Sequence, residues 1–378
     1  MPVFEFATAG RIIFGEGSVA QVPAAAASLG RRVLLVTGGT PERTAPLRNA
    51  LSGAGLSVAD FAVPGEPTVE MIRRAPRHCD VVVACGGGSV LDAGKALAAL
   101  AANPGDPMEY LEVVGQGRPL IHAAAPCIAI PTTAGTGSEV TRNAVLASTE
   151  HGVKASLRSV SMLPRIAVVD PELTYAMPRP LTASTGLDAL TQLIEPYVSV
   201  KANPMTDQFC VEGMRRASRS LLPAWTNGGD IEARRDMAWA SLLGGMALAN
   251  AGLGAVHGFA APVGGMFPAP HGAVCAAILP HAMRVNVSAV GGRQAWRLAR
   301  FDEVARLLTG RPHAVASDAV RWLGELCARL EIPPLRTYGI TAADVSVLVE
   351  KAAQASSMKG NPLPLTHDEL TEILTASI

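Results

Sequence analysis

The sequence predicts an α/β domain built on a parallel sheet, followed by an all-helical domain. At 378 residues, the chain exceeds the size at which a single hydrophobic core usually keeps growing. Its first half alternates short β-branched runs with alanine-rich helical stretches, which is typical of a parallel sheet covered by helices. After Pro180, long stretches with helical periodicity continue to the C-terminus. We therefore expect domains at residues 1–178 and 179–378, with the ligand site in a cleft between them.

Apolar and mostly β-branched runs predict the strands of the first domain. The predicted strands are residues 32–37, 80–85, 127–131 and 166–170. The second strand runs into a glycine-rich turn and then into a helix that ends near Ala101. In the second domain, the 3.6-residue period predicts helices that include residues 182–198, 203–222, 231–253 and 314–330.

The composition argues against several classes of protein. Lys plus Arg balance Asp plus Glu at 32 each, so no net charge attracts nucleic acid or anionic lipid. The first residues contain no basic region followed by an apolar run, so we expect no secretory signal and a cytoplasmic location. The six cysteines lack Cys-x-x-Cys spacing, which argues against a disulfide framework and against a thiolate metal site.

Residues 237–283 contain no Asp, Glu, Lys or Arg, and by hydropathy alone they resemble a membrane span. The segment also contains many glycines, four prolines and three histidines, which would break or hydrate a spanning helix. We interpret it as buried interior that carries a functional site, and we expect no contact with a membrane.

The first candidate binding segment is Gly86-Gly87-Gly88-Ser89, which joins a predicted strand to a predicted helix. A helix that starts there offers unpaired N–H groups and the positive end of its dipole, and glycines let a pyrophosphate approach the backbone. However, the spacing is not Gly-x-Gly-x-x-Gly, and Ser89 and Asp92 could instead cap the helix start. Taken alone, this segment supports both interpretations equally.

The segment after the third predicted strand favours ligand binding. Four hydroxyl groups and two glycines lie close to the carboxyl end of that strand, where ligands of open α/β sheets bind. The hydroxyl groups belong to Thr132, Thr133, Thr136 and Ser138. A purely structural turn rarely needs so many donors, so the two segments together predict a dinucleotide site.

Asp188 and Gln192 are candidate metal ligands, because residues four apart on a helix share one face. Their neighbours include leucines, and a buried carboxylate must be paired or ligated. His257 and His271 lie in the charge-free segment. One oxygen and two imidazole nitrogens suit Fe²⁺ or Zn²⁺ with an open position. The alternative is that each histidine is a hydrogen-bonded core residue and that Asp188 pairs locally.

These segments resemble the iron-containing (group III) alcohol dehydrogenases, within the dehydroquinate synthase-like superfamily. The matching motifs are GGGSVLD (86–92), PTTAGTGSEVT (131–141), Asp170-Pro171, TGLDAL (185–190), IEPY (194–197), His257-Gly258, Pro270-His271-Gly272 and Leu279-Pro280. They span nearly the whole chain in the order that the family has. The resemblance implies a Rossmann-like N-terminal domain and an all-helical C-terminal domain.

The resemblance also implies which residues hold a cofactor and a metal. Gly87, Gly88 and Ser89 would hold the pyrophosphate of NAD(H) or NADP(H). The rest of that site would be lined by Thr132, Thr133, Thr136, Val145 and Lys154, although Lys154 could also be a solvated surface lysine. Asp188, His257 and His271 fall on the metal-ligand positions of the family.

Three positions depart from the usual pattern of the family. Gln192 stands where its alcohol dehydrogenases usually have His, so an amide oxygen replaces a better ligand. Ala261 replaces a further histidine, which removes any proton relay through that residue. Gly38 stands where many NAD-specific members carry Asp. Without a carboxylate there to repel a 2′-phosphate, NADP(H) is admitted, with Arg43 as a nearby cation.

We expect reversible hydride transfer between a nicotinamide and a small alcohol or aldehyde, with Fe²⁺ or Zn²⁺ polarising the substrate oxygen. Three alternatives stay open: a metal-free reductase of the maleylacetate reductase type, a dehydroquinate synthase-like lyase, and a cofactor-binding protein without catalysis. Residues 4–6 and 11–14 resemble edge strands through which relatives dimerise. We therefore also expect a homodimer or a higher homo-oligomer.

Overall fold

A computed structural model describes residues 3–378, which divide by their contacts into two compact units. The first unit holds Ala7–Thr133 and Gly137–Thr174. The second holds Tyr175–Ile378, Ala134–Thr136 and the N-terminal residues up to Phe6. The division into functional domains at residues 178 and 179 stays a prediction.

The first unit is built on a parallel sheet. The strands are β1 (Ile12–Phe14), β2 (Arg32–Gly38), β3 (Ser57–Val63), β4 (Val81–Gly86), β5 (Cys127–Pro131), β6 (Asn143–Ser148), β7 (Val153–Arg158) and β8 (Ile166–Val169). Within residues 3–378, six of them form one parallel sheet in the order β1-β8-β5-β4-β2-β3. The four predicted strands correspond to β2, β4, β5 and β8, so the predicted α/β class is confirmed.

Helices pack on the sheet and make up most of the second unit. In the first unit they are α1 (Val22–Ala27), α2 (Ala45–Gly53), α3 (Val69–Arg74), α4 (Gly88–Ala102) and α5 (Pro107–Tyr110). In the second unit they are α6 (Arg179–Val198), α7 (Pro204–Thr226), α8 (Ile231–Ala251), α9 (Ala255–Met266), α10 (His271–Arg293), α11 (Leu298–Thr309), α12 (Ala316–Arg329), α13 (Val345–Gln354) and α14 (His367–Ser377). Residues 175–378 are all described and contain no strand, which confirms the predicted all-helical part.

The sheet is buried on both faces, because successive residues of a strand point to opposite sides. In β4, Val81 and Val83 pack with α1 and α2, whereas Val82 and Ala84 pack with α4. A strand covered on both faces can be apolar throughout, and all of β4 is buried. Gly94 lets α4 approach closely, since a Cβ there would lie 2.5 Å from the Cβ of Ala84.

The first unit also contains a hairpin that the sequence analysis did not predict. Strands β6 and β7 pair in antiparallel fashion, with Val145 opposite Ser156 and Ala147 opposite Lys154. Only alternate residues of β6 are buried, as in a strand with one covered face. The hairpin packs on α4 through β6. It therefore carries two of the predicted cofactor residues, Val145 and Lys154.

The prediction of N-terminal edge strands is correct for one segment and wrong for the other. β1 pairs with β8 at the edge of the sheet, as predicted for residues 11–14. Residues 4–6 do not form a strand. Instead, the ring of Phe6 lies 5.5 Å from the ring of Phe209 in α7, centroid to centroid. This segment therefore makes an aromatic contact with a helix where backbone pairing was predicted.

Helix α6 lies at the centre of the second unit. It is buried on every side from Gly186 to Val198 and packs against α7, α8 and α10. A helix that is covered all round belongs to the interior of a helical domain. Gly213 of α7 makes one of these close approaches possible, because a Cβ there would lie 2.4 Å from Cδ2 of Leu193.

Helix α10 is long and apolar enough to cross a membrane, judged by length and composition alone. In the protein, 72% of its apolar window is buried. The apolar helices α8 and α9 are bent by 97° at their break. Burial of this kind is typical of the core of a helical domain, which supports the interpretation of residues 237–283 as protein interior.

Glu139 is a buried carboxyl group in the turn Ser138–Val140 after β5. Its Oε2 has no hydrogen-bond partner. Burial raises the pKa of Glu139 from its ordinary value of 4.5 to about 7, although its own backbone N–H and Lys95 both act to lower it. The folded protein therefore holds this proton more tightly than the unfolded chain does.

We expect the free energy of unfolding to fall as the pH rises from 4.5 to 7, because the folded state must then ionise a buried carboxyl group. The full effect is about 3 kcal/mol, at 1.36 kcal/mol per pKa unit. Glu139→Gln should remove this part of the pH dependence and stabilise the protein at pH 8. Urea unfolding at pH 5 and pH 8 measures the difference. The exposed control Glu150→Gln should behave as the wild type. If the free energy of unfolding changed by the same amount between pH 5 and pH 8 in all three proteins, the prediction would be contradicted.

Candidate functional site

Four side chains with metal-binding atoms converge in the helical unit. They are Asp188 of α6, His257 of α9, and His271 and Cys275 of α10, and their ligand atoms all lie within 4.8 Å of one another. Asp188 Oδ1 is 3.3 Å from His257 Nε2 and 3.7 Å from His271 Nε2. Cys275 Sγ is 3.6 Å from His271 Nε2. The three residues that the sequence analysis singled out are thus brought together, and a cysteine joins them.

The start of α10 places two of these side chains. His271 is the first residue of the helix and follows Pro270, whose extended conformation ends the preceding loop. Cys275 lies one turn later, on the same face as His271. Gly272 lets this end of α10 approach α6, because a Cβ there would lie 2.9 Å from the carbonyl oxygen of Ser184.

Several buried polar atoms of this region lack a hydrogen-bond partner. They are Asp188 Oδ1, Gln192 Oε1 and His257 Nε2. A buried polar group without a partner costs about 1–3 kcal/mol, and more if it is charged. A divalent cation among these atoms would satisfy a carboxylate oxygen and an imidazole nitrogen at once. The residues therefore fit a metal ion, both in their chemistry and in the atoms that they leave unpaired.

Glu195 fixes the orientation of His257. One of its carboxylate oxygens accepts a hydrogen bond from His257 Nδ1 at 2.7 Å. The other accepts from the backbone N–H of Val256, also at 2.7 Å. With the proton held on Nδ1, the lone pair on Nε2 faces the cluster, which is the arrangement that metal-binding histidines adopt.

The electrostatics of the cluster favour positive charge. Burial alone would raise the pKa of Asp188, but the imidazoles of His271 and His257 hold it below its ordinary value. Burial alone would lower the pKa of His257, but Cys275, Asp188 and Glu195 hold it well above 6.5. Without a metal, these acidic neighbours favour a proton on Nε2 of His257; a metal cation would take the place of that proton and meet the lone pair.

Gln192 and Ala261, which differ from the residues usual in the family, both lie one turn after a proposed metal ligand. Gln192 lies one turn after Asp188 on α6 and is buried. Its amide is packed against α8, since a Cβ at Gly244 would lie 3.6 Å from Oε1. Ala261 lies one turn after His257 on α9 and is exposed. Ala261 therefore offers no titratable group at this end of the site.

The predicted cofactor residues of the first unit gather at the carboxyl edge of the sheet. Gly38 ends β2, Gly86 ends β4, and Pro131 ends β5 opposite Gly86. The backbone N–H of Thr132 donates to the carbonyl oxygen of Gly86 at 3.0 Å. A Cβ at Gly87 would lie 3.5 Å from the side chain of Thr133, so the two loops are in contact.

Helix α4 begins directly at this edge. Gly88 is its first residue, Gly87 is its N-cap, and no side chain caps it. The interpretation of Ser89 and Asp92 as a helix cap is therefore wrong. Tertiary contacts take Asp92 elsewhere: it accepts from Ser138 Oγ at 2.5 Å and from the Val145 N–H at 2.9 Å. The N–H groups of Val90 and Leu91 donate to the carbonyl oxygen of Gly87, so those of Gly88 and Ser89, with the helix dipole, are left for an anion.

The remaining predicted cofactor residues are less tightly grouped. Lys154 forms an ion pair with Glu66 at 2.6 Å and its side chain is only 9% exposed, so it is not a solvated surface lysine. Val145 uses its backbone N–H to bind Asp92. Thr136 belongs by its contacts to the helical unit, where Gly135 packs against Thr185 of α6. These geometries leave the roles of the three residues as predictions.

Sequence reasoning missed Cys275 and Glu195 as parts of the cluster. Both carried a signal: Cys275 is four residues after His271, and Glu195 is seven residues after Asp188, so each shares a helix face with a predicted ligand. Cys-x-x-Cys spacing identifies sites with two thiolates, so its absence does not exclude a site in which one cysteine and one histidine lie four residues apart.

Models of one protein family match most of the chain. Residues 9–171 match the iron-containing alcohol dehydrogenase family, and residues 182–378 match the C-terminal part of the Fe-containing alcohol dehydrogenase family. The 1,3-propanediol dehydrogenase of Citrobacter freundii is 37% identical over 311 residues, which cover 81% of this chain and 77% of that protein. The NAD-dependent methanol dehydrogenase of Bacillus methanolicus is 33% identical over 379 residues and covers 96% of each chain.

Solved structures agree with these matches. A crystal structure of a 1,3-propanediol oxidoreductase superposes with a TM-score of 0.92 at 33% identity and covers 100% of both chains. A sulfoacetaldehyde reductase from Bifidobacterium kashiwanohense, solved in complex with NAD⁺, superposes with a TM-score of 0.85 at 28% identity and covers 100% of this chain and 99% of that one.

Proposed function

Because the chain belongs to the iron-containing alcohol dehydrogenase family and is an oxidoreductase acting on the CH–OH group of donors, we propose that it interconverts a short primary alcohol and its aldehyde with a nicotinamide cofactor and a divalent metal. The observation that carries this proposal is the cluster of Asp188, His257 and His271, in which Asp188 Oδ1 and His257 Nε2 are buried without a hydrogen-bond partner. Relatives named for 1,3-propanediol, methanol and 4-hydroxybutyrate point to small hydroxylated substrates.

We propose that the carboxyl edge of the sheet binds NAD(H) or NADP(H). Gly87, Gly88 and Ser89 would present backbone N–H groups to the pyrophosphate at the uncapped start of α4. Thr132 and Thr133 would add hydroxyl donors beside them. The nicotinamide supplies or accepts a hydride when it is bound. The name of one relative and the NAD⁺ complex of another support NAD, while Gly38 leaves room for the 2′-phosphate of NADP.

We propose that Asp188, His257 and His271 hold Fe²⁺ or Zn²⁺, with the amide oxygen of Gln192 as a further candidate. Such an ion polarises a substrate C–O bond. Asp188 would balance one of the two positive charges of the ion, and Glu195 would keep His257 Nε2 turned toward it.

The residues near the cluster also suggest how the hydroxyl proton of the substrate leaves. Ala261 cannot relay a proton, but the side chain of His271 is 40% exposed, so solvent reaches the cluster. We propose that this proton exchanges with solvent beside His271.

Chelation tests the proposal. Reduction of short aldehydes should be visible as loss of the near-ultraviolet absorbance of NADH or NADPH, and a chelator should abolish it until Fe²⁺ or Zn²⁺ is restored. The same chelator saturated with zinc beforehand is the control. Full activity in metal-free protein would instead support a reductase of the maleylacetate reductase type. Turnover without net change in absorbance would support a lyase.

Other properties of the protein stay predictions. We propose that the enzyme acts on a small molecule in the cytoplasm. We also propose that it assembles as a homodimer or a higher homo-oligomer, with edge strand β1 as a candidate contact between subunits.

A further inference from the structure

Cys275 is the member of the cluster to which neither the resemblance nor the proposed function gives a role. Its side chain is fully buried, and its Sγ lies within 4.8 Å of the ligand atoms of Asp188, His257 and His271. We propose that Cys275 binds the divalent metal as a thiolate, which makes the protein ligand set Asp188, His257, His271 and Cys275. This inference rests on the proposed metal site.

The spacing of the atoms supports a shared metal. Around a tetrahedral zinc ion, an oxygen and a nitrogen ligand are about 3.3–3.4 Å apart, and a nitrogen and a sulfur ligand about 3.6 Å apart. Asp188 Oδ1 and His257 Nε2 are 3.3 Å apart. His271 Nε2 and Cys275 Sγ are 3.6 Å apart. Two ligand pairs from three helices thus already have the separations that one ion would require. The remaining oxygen–nitrogen pair, Asp188 Oδ1 and His271 Nε2, is 3.7 Å apart and would have to shorten slightly around the ion.

Unpaired atoms opposite Cys275 point to the same occupant. Asp188 Oδ1 and His257 Nε2 are buried and have no hydrogen-bond partner. A weak S–H donor cannot satisfy a carboxylate oxygen and an imidazole lone pair together.

The thiolate compensates for the amide at position 192. A neutral amide oxygen is a poorer ligand for a first-row metal than an imidazole, whereas a thiolate is both charged and soft. Asp188 and Cys275 together would neutralise both charges of the ion, and the thiol proton would pass to solvent when the metal binds. With four protein ligands, the substrate oxygen would bind as a fifth ligand, a coordination number that zinc reaches in some catalytic sites. A thiolate in the set should favour Zn²⁺ over Fe²⁺.

Cobalt substitution tests this assignment on the wild-type protein. Co²⁺ bound by a thiolate has a charge-transfer band in the near ultraviolet, which oxygen and nitrogen ligands do not produce. We expect the metal-free protein to bind one Co²⁺ per chain and to show this band together with the visible d–d bands. Cys275→Ser should keep d–d bands and lose the charge-transfer band. Cys210→Ser, which changes another fully buried cysteine of the helical unit, should keep both.

The possible outcomes separate the two proposals. One bound Co²⁺ with d–d bands but without a charge-transfer band in the wild type would overturn the role of Cys275 and leave the metal site intact. No bound Co²⁺ in folded wild-type protein would overturn both. A charge-transfer band that persists in Cys275→Ser but disappears in Cys210→Ser would also overturn the assignment.

Zinc affinity gives a second readout that does not depend on activity. Cys275→Ser should weaken Zn²⁺ binding by at least about 10–100-fold. Mutation of a residue that only hydrogen-bonds to a metal ligand typically causes a loss of that size, and loss of a ligand itself should cost no less. Gln192→Ala should change it less, because the thiolate rather than the amide completes the set. The opposite order of the two variants would assign the fourth position to Gln192.

Discussion

Asp188→Asn is expected to abolish metal retention and to lower kcat/KM by about 1,000-fold or more, since a metal acting as a Lewis acid contributes several kcal/mol to the transition state. The change keeps the size of the side chain but removes the one full negative charge that the three proposed ligands bring. The new amide would also place N–H groups beside two imidazole nitrogens. Metal analysis after dialysis and steady-state aldehyde reduction measure the two effects.

Asp236→Asn is the matched control, because Asp236 is a buried carboxylate of the same unit that pairs with Arg216 and Arg219. Its loss should lower stability without changing the metal content of the folded protein. An Asp188→Asn protein that keeps both its metal and its turnover would show that this carboxylate is not a ligand. The proposed function would then lose the observation on which it depends.

Gly38→Asp is expected to lower kcat/KM for NADPH by about 100-fold and to change that for NADH only a few-fold. A carboxylate and a phosphate about 4 Å apart repel each other by about 4 kcal/mol at an effective dielectric constant of 20, which suffices for this discrimination. The backbone tolerates the change, because a Cβ at Gly38 meets nothing within 4 Å and no positive φ is required. Initial rates with both cofactors over a concentration series measure the ratio.

Gly53→Asp provides a control at another position of the first unit where a Cβ meets nothing within 4 Å. It adds the same charge at the end of α2 and should leave the ratio of the two cofactors unchanged. If Gly38→Asp also left that ratio unchanged, the residue would not lie beside the 2′ position of the bound cofactor. If both variants shifted it equally, the effect would be one of net charge alone.

Much of the fold could be predicted from the sequence because the signals are local. The core strands β2, β4, β5 and β8 are short apolar runs, and α6, α7 and α8 show helical periodicity over several turns. The hairpin of β6 and β7 was missed because a short apolar run such as residues 144–147 cannot be told from a helical segment by its pattern alone. Residues 4–6, predicted as an edge strand, form no strand within the chain, where Phe6 contacts Phe209 of α7; pairing of this segment with a second copy stays a prediction.

The candidate site was predicted in part, and the errors came from contacts between residues distant in sequence. Ser89 and Asp92 have the spacing of a helix cap, yet Asp92 binds Ser138 and Val145, which lie 46 and 53 residues away. The sequence shows Glu195 only as part of the IEPY motif, whereas in the structure its carboxylate accepts a hydrogen bond from His257. In both cases a local rule identified a polar residue correctly but could not name its partner.

By itself, the sequence determined the order of the elements, the glycine-rich start of α4 and the shared face of Asp188 and Gln192, since these follow from the periods of strands and helices. Only the tertiary structure decided that His257, His271 and Cys275 converge on Asp188 and that Asp188 Oδ1 and His257 Nε2 are left without a hydrogen-bond partner. The physical reason is distance along the chain: three helices supply the cluster, and their packing, which spacing within one helix does not encode, brings the ligand atoms within reach of one ion.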